Sequence, residues 1–275
     1  MRRLTCLLPL LLAACSDSTT EPASPAIIPA PAPVAVAAIA TGDPVEGLRQ
    51  ANRVGCTGCH GPKGEGKNEL WDSPGKYTIR SANLTAKREL YDDAGIDQLL
   101  RQGKTHDGHA PLGMPIFMFQ RLSDREVRDI TAWLRSLPAV DNPGLQPSWI
   151  SDEVRRQIAD RSFPEDDYLP DAGIVASAEP PTEPLALGEH LAMSACTECH
   201  GRELRGWGPD DPAPNLVVAK AYTPEQFTRL MREGKTANGT ESRTGMMSGV
   251  ARWRFAGMTD QEIVALKTFL DARTP

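Results

Sequence analysis

Two five-residue strings in this chain could hold a metal-bearing prosthetic group: Cys56-Thr57-Gly58-Cys59-His60 and Cys196-Thr197-Glu198-Cys199-His200. In each, two thiols stand three positions apart and an imidazole follows at once. At the end of a helix, that spacing brings both sulfurs and the ring to one side. The thiols can then add across the two vinyl groups of a single porphyrin, and the ring can ligate its iron. This is the attachment signature of c-type haem. The expected cofactors are therefore two covalent haem c groups, one on Cys56, Cys59 and His60, the other on Cys196, Cys199 and His200. Three other chemistries use similar residues. A thioredoxin-type dithiol would need a βαβ setting, which is not seen around either string. Zinc would need a fourth ligand from a second close pair. Structural disulfides are the third rival. Recurrence of the whole motif at matching places in a duplicated sequence tells against all three.

An iron that transfers electrons usually has a second strong axial ligand, and methionine raises its potential relative to histidine. In the first half, Gly113-Met114-Pro115 stands on the loop before the last helix, where a returning chain would place a thioether, so Met114 is the expected ligand. Met118, between Phe117 and Phe119, reads as core packing. His106 and His109 would give a bis-histidine site but read as loop residues near the haem edge. In the second half, counting back from the last helix puts Val250 at the place of Met114, and valine cannot ligate. Met247 is the expected ligand there, with Met246 as the alternative. Met231 and Met258 align with Leu100 and Leu122 and read as core. Asn83 and Asn215 are expected to hold loop backbone near the haems. Arg80, Tyr77, Trp71, Trp207 and Tyr222 are candidates to reach propionates.

The elements that would position these residues come in two copies. Besides the haem motifs, Asn83-Leu84 is echoed by Asn215-Leu216. Leu99-Leu100-Arg101-Gln102-Gly103-Lys104-Thr105 is echoed by Leu230-Met231-Arg232-Glu233-Gly234-Lys235-Thr236. Leu122-Ser123-Asp124-Arg125-Glu126-Val127 matches Met258-Thr259-Asp260-Gln261-Glu262-Ile263 in the same order. Asp43-Pro44 reads as an N-cap with proline at the first helical position. Ser123 with Glu126, and Thr259 with Glu262, have capping-box spacing. Val127, Ile130, Leu134 and Leu137 then recur at helical period, as do Ile263, Leu266 and Leu270. No segment shows sustained strand alternation. The expected fold is all-α: two units, each a first helix, a long loop, a middle helix, a second loop and a last helix. Their bounds are 43–140 and 181–275, with an irregular connector over 141–180 that carries one weak helical stretch.

Residues 1–15 read as a targeting segment. Arg2 and Arg3 precede an apolar run too short to span a bilayer, and Leu12-Ala13-Ala14-Cys15 resembles a lipoprotein lipobox. Cys15 would then carry the lipid that anchors the chain to a membrane. Residues 16–42, rich in proline and alanine, form an extended tether. Net charge is -6, and loss of Arg2 and Arg3 with the leader takes it from -6 to -8. An acidic chain without a basic stripe is not a nucleic-acid binder. Its partners are expected to be redox proteins, a donor and an acceptor.

From residue 43 onward, the connector apart, the sequence resembles the class I cytochrome c superfamily, specifically its tandem dihaem members. Ser81-Ala82-Asn83-Leu84-Thr85, Met114-Pro115 and Ser136-Leu137-Pro138 are similar to cytochrome subunits that take electrons from periplasmic dehydrogenases. Met247-Ser248-Gly249-Val250 followed by Met258-Thr259-Asp260 resembles a domain of the same subunits, which implies Met247 as ligand. The resemblance implies a periplasm-facing electron carrier whose partner is a dehydrogenase or a terminal oxidase. Those subunits often have three haems and a C-terminal membrane segment, whereas two motifs are present here. The alternatives are a dihaem peroxidase-like enzyme or a ligand sensor, either of which would keep one axial position open.

Overall fold

The computed structural model describes residues 41–160, 162–163, 169–209 and 211–274. The expected leader, Cys15 and nearly all of the tether lie outside the described residues. In the first unit Asp43 caps α1 (Pro44–Arg53), its carboxylate accepting from the Val45 and Glu46 amides. The haem motif forms a single turn, α2 (Cys56–His60). Asn83 caps α3 (Leu84–Lys87). Then follow α4 (Asp93–Gln102), the short α5 (Ile116–Phe119) and α6 (Asp124–Ser136). In α6 the Ser123–Glu126 capping box is complete, so two of the amides orphaned at the helix start are satisfied reciprocally.

One feature departs from the all-α expectation. Lys67–Ser73 (β1) and Tyr77–Ser81 (β2) form an antiparallel hairpin, and Trp149–Ile150 (β3) of the connector adds a third strand to β2. Strand alternation is weak in β1 because it is mostly solvent-facing and its register slips between Lys67 and Trp71. Cross-strand pairing, not a buried apolar face, defines it. The fold is thus mostly α with a small sheet.

The connector continues into α7 (Asp152–Ala159). Its Ser177 and Ala178 carbonyls accept from the Asp124 and Arg125 amides at the start of α6. Asp171 pairs with Arg121 of the first unit and Arg202 of the second.

The second unit opens with α8 (Pro184–Ala195) and the motif turn α9 (Thr197–His200). A 3-10 turn over Leu216–Ala221 is capped by Asn215. Next come α10 (Pro224–Glu233), with a Thr223–Gln226 capping box, and α11 (Met246–Val250). A π-turn over Ala251–Phe255 then leads to α12 (Asp260–Ala272), capped by Thr259 and Glu262.

Each unit is built on the crossing of its first and last helices. A Cβ at Gly47 of α1 would lie 1.8 Å from the Asp129 carbonyl oxygen of α6, and one at Gly188 of α8 would lie 2.0 Å from that of Ala265 in α12. Backbones approach that closely only because neither position has a side chain. Around the first crossing pack Ala51, Ile96, Leu100, Phe117, Leu122 and Ile130; around the second, Leu191, Phe227, Met231, Met258, Ile263 and Leu266. The middle helix is tied to the last one in the same way twice. Arg101 bonds the Leu122 carbonyl and the Asp124 carboxylate; Arg232 bonds the Ala256 carbonyl and the Asp260 carboxylate.

The two units are joined by a buried polar cluster. Arg53 of α1 is 1% exposed. It donates to Gln50 at 2.8 Å, to Ser194 of α8 at 2.7 Å and to Glu126 of α6 at 2.6 Å. His190 of α8 reaches the same Glu126 carboxylate at 2.8 Å. Nearby, Arg49 of α1 pairs with Glu262 of α12 at 2.5 Å. All the members are partnered, so the charges avoid the full cost of isolated burial.

Candidate haem sites

Cys56, Cys59 and His60 line one face of a cavity of about 400 Å³ in the first unit. Much of the remaining wall is apolar, with Leu84, Ile96, Leu100 and Trp133 among it, and Met114 lines it too. This is space that an apolar macrocycle would fill.

The orientation of each imidazole is set from behind. His60 Nδ1 lies 2.8 Å from the Ala82 carbonyl oxygen, and His200 Nδ1 lies 2.8 Å from that of Pro214. A ring that donates from Nδ1 keeps its Nε2 lone pair for a metal, and a carbonyl partner raises its basicity as a ligand. Burial holds both rings below the ordinary imidazole pKa, against the opposing pull of those carbonyls. Both are therefore neutral at physiological pH, as ligation requires.

The two carbonyls are themselves fixed by the residues that follow them. Asn83 accepts from the Thr85 and Ala86 amides and donates to the Val140 carbonyl at 2.7 Å; Asn215 accepts from the Val217 amide. The expected loop-holding role of both asparagines thus takes a specific form. The turn after each motif repeats as well, with His60 and His200 carbonyls accepting from Gly66 and Gly206 at 2.7 Å. Within this turn Gly64 has φ 72°, and its counterpart Leu204 adopts φ 59° although it has a side chain. Left-handed backbone costs a non-glycine residue about 1–2 kcal/mol, which complete burial of Leu204 in the second core offsets.

The four thiols are unpaired. Burial, then the neighbouring Cys59, pushes Cys56 up to about 12, and burial with Cys199 does the same to Cys196. Burial also raises Cys59 and Cys199, with Glu198 as the next cause. Thiols so held are poor nucleophiles, which disfavours disulfide exchange. A thioether made by addition to a vinyl group needs no charge and suits the apolar cavity. Among the described residues no group of three or more histidine, cysteine or acidic side chains could hold a metal ion.

The other expected contacts sort by position. Met114 is half-buried against the first core, while Met118 is fully buried inside it. Met247 is half-buried against the second core, whereas Met246 is 60% exposed. Met231 and Met258 are core residues. His106 lines the first cavity, edge-on to Tyr91, but the His109 side chain is 80% exposed beside Asp107 and forms no part of the wall. Arg80 lines the cavity and donates to the Pro147 carbonyl. Trp71 and Tyr77 line a smaller neighbouring cavity of about 90 Å³ behind the Met114 loop. Trp207 donates its indole N–H to the Glu198 carbonyl, and Tyr222 packs on the second core.

A family model for cytochrome c matches this chain twice, over residues 45–138 and 185–273. This chain belongs to the cytochrome c family. Cytochrome c4 of Thiocapsa roseopersicina is 25% identical over 236 residues, which cover 85% of this cytochrome and 94% of that one. The Cbb3-type cytochrome c oxidase subunit CcoP of Helicobacter pylori (strain 52) is 31% identical over 90 residues, covering 32% of this cytochrome and 26% of that subunit. Two family domains with two Cys-x-x-Cys-His motifs make this a dihaem cytochrome with covalent haem c. It is an electron-transfer protein and not an enzyme.

Three features of the sites are not apparent in the sequence taken locally: the Ala82 and Pro214 carbonyls, the Arg53 cluster and the π-turn. Only the first left a signal, in the repeated Asn-Leu that follows each carbonyl.

Proposed function

We propose that this cytochrome is an envelope electron carrier whose two haems are each ligated by histidine and methionine: His60 with Met114, and His200 with Met247. Exported and held by a lipid on Cys15, it faces the periplasm and passes single electrons between two redox proteins. The observation that carries the ligation is the shared cavity: His60, with its Nδ1 committed to Ala82, and Met114 both line it. In the second unit, Met247 packs at the edge of the core while Met246 is largely in solvent. When bound, each haem supplies a one-electron couple. The chain's part is to keep both imidazoles neutral and aimed, to exclude water, and to hold the ligand loops rigid so that little reorganises on electron transfer.

The likeness of part of the chain to an oxidase subunit supports a terminal oxidase as a redox partner. Among the described residues no helix is long and apolar enough to cross a membrane.

The decisive test is optical and magnetic circular dichroism of the mature protein during a potentiometric titration. Two low-spin haems, each with a ferric methionine–iron charge-transfer band, are expected. The band of one haem should vanish in Met114→Ala and that of the other in Met247→Ala. If Met246→Ala removes the second band while Met247→Ala spares it, the ligand assignment is wrong. A high-spin ferric signal in the wild type would refute paired ligation.

A further inference from the structure

The second unit reaches into the attachment motif of the first. Its π-turn, in which the Ala256 amide bonds the Ala251 carbonyl at 3.0 Å, carries Trp253 and Arg254. A Cβ built on Gly58 would stand 1.6 Å from the Trp253 ring, and one on Gly55 would stand 2.4 Å from the Arg254 guanidinium. Gly55 precedes Cys56, and Gly58 stands between Cys56 and Cys59. Gly58 is glycine where a side chain would collide with the other unit; at Gly55 a left-handed backbone, φ 93°, favours glycine as well.

Arg254 is 8% exposed, and its Nη1 donates to Glu198 at 2.6 Å. Glu198 occupies, in the second motif, the position that Gly58 holds in the first. One buried ion pair therefore touches both Cys-x-x-Cys segments, and both of its members line the first cavity. Arg254 Nε is buried with no hydrogen-bond partner among the described residues. The charges are also felt by the thiols: Glu198 raises and Arg254 lowers both Cys59 and Cys199. π-turns interrupt regular helices and gather at functional positions. By the count that pairs Val250 with Met114, this turn stands where residues 115–119 stand in the first unit.

We propose that Arg254 tunes both haems at once: a single buried cation, partly answered by Glu198, that raises the two midpoint potentials together. The oxidised haem carries one more positive charge than the reduced one. A nearby cation therefore disfavours oxidation, and inside the protein it is poorly screened by salt. A charge seated between two motifs acts on both, so the potentials are linked through one residue rather than set domain by domain. The proposal depends on haem at both motifs and on the electron-transfer function. It does not depend on which methionines ligate.

The test is a potentiometric titration of the full-length, haem-loaded protein, with the haems resolved by magnetic circular dichroism. It would compare the wild type, Arg254→Gln, Glu198→Gln and the exposed surface control Lys220→Gln. Arg254→Gln should lower both midpoints, Glu198→Gln should raise both, and neither shift should fade at high ionic strength. Lys220→Gln should move neither midpoint beyond the scatter between wild-type preparations. A change confined to one haem, or none in either, overturns the proposal. Should Arg254→Gln fail to mature, Glu198→Gln decides alone: an upward shift of both potentials upholds the shared charge, and anything else sinks it. Loss of the methionine bands in the wild type would instead count against the ligation scheme, because potentials can still shift in concert without them.

Discussion

Replacing Glu126 by glutamine keeps the side chain's shape and removes one charge from the cluster that joins the units. In the wild type Arg53 donates to this carboxylate at 2.6 Å, His190 lies 2.8 Å from it, and the Ser123 amide and hydroxyl donate at 2.8 and 2.9 Å. With the charge gone, the guanidinium of Arg53 keeps only neutral partners, Gln50 and Ser194, while remaining out of water. Breaking a buried pair from one side costs about 3–5 kcal/mol. Arg53→Met should cost less, about 2 kcal/mol, because the remaining carboxylate still has charge-assisted bonds to His190 and the helix cap. In the double variant the penalty should fall at least about 1 kcal/mol short of the sum, since no unpaired charge remains.

Acid provides a second readout of the same cluster. Burial opposes ionisation of Glu126, but Arg53, then His190 and Ser123, outweigh it and hold its carboxyl at about 2 against an ordinary 4.5. A carboxyl depressed by folding stabilises fully above 4.5, and that stabilisation, about 3 kcal/mol, is lost as pH falls towards 2. Urea unfolding of the haem-loaded protein, followed by Soret absorbance and far-ultraviolet circular dichroism across pH 2–7, measures both effects. The reasoning fails if Glu126→Gln lies within about 1 kcal/mol of the wild type at pH 7, or if the single variants add without coupling. It fails equally if Glu126→Gln retains the wild-type loss of stability below pH 4.5.

Gly188→Ala would set a methyl against the Ala265 carbonyl oxygen at 2.0 Å. It should destabilise the second unit by about 1–3 kcal/mol or more, with Gly47→Ala doing the same to the first; a thermal melt showing no loss for either would refute the close helix crossing. Trp71 abuts Gly113, where a Cβ would lie 2.4 Å from the ring, and so braces the residue that precedes Met114. Trp71→Ala is expected to lower the alkaline pH at which the first haem loses its ferric methionine band and to leave the second unchanged. Equal effects on both haems, or none, would show that the sheet does not support the ligand loop.

Much of the site was legible because its chemistry is covalent and local. Two thiols and a histidine must lie within one helical turn to grip one porphyrin, so spacing along the chain reports them directly. The helices were legible for a related reason: caps such as Ser123 with Glu126 and the apolar period of α6 act within a few residues. The duplication then divided the chain into like units without reference to three dimensions.

Tertiary structure decided what arises from surfaces far apart in sequence. Strands β1 and β2 form a sheet by pairing with each other and, through β2, with the connector, and pairing leaves little periodic trace in a solvent-facing strand. Arg53 and Glu126 are 73 residues apart, and Arg53 and Ser194 are 141 apart. Their types suggest ordinary surface residues until folding removes them from water together. Gly58 looks like a flexible spacer in the sequence, yet it is a gap left for Trp253 of the other unit. Covalent attachment needs only neighbours in the chain, whereas a buried charge needs partners in space. The sequence by itself therefore determined where the haems are joined, and folding alone determined which charges lie against the two attachment motifs.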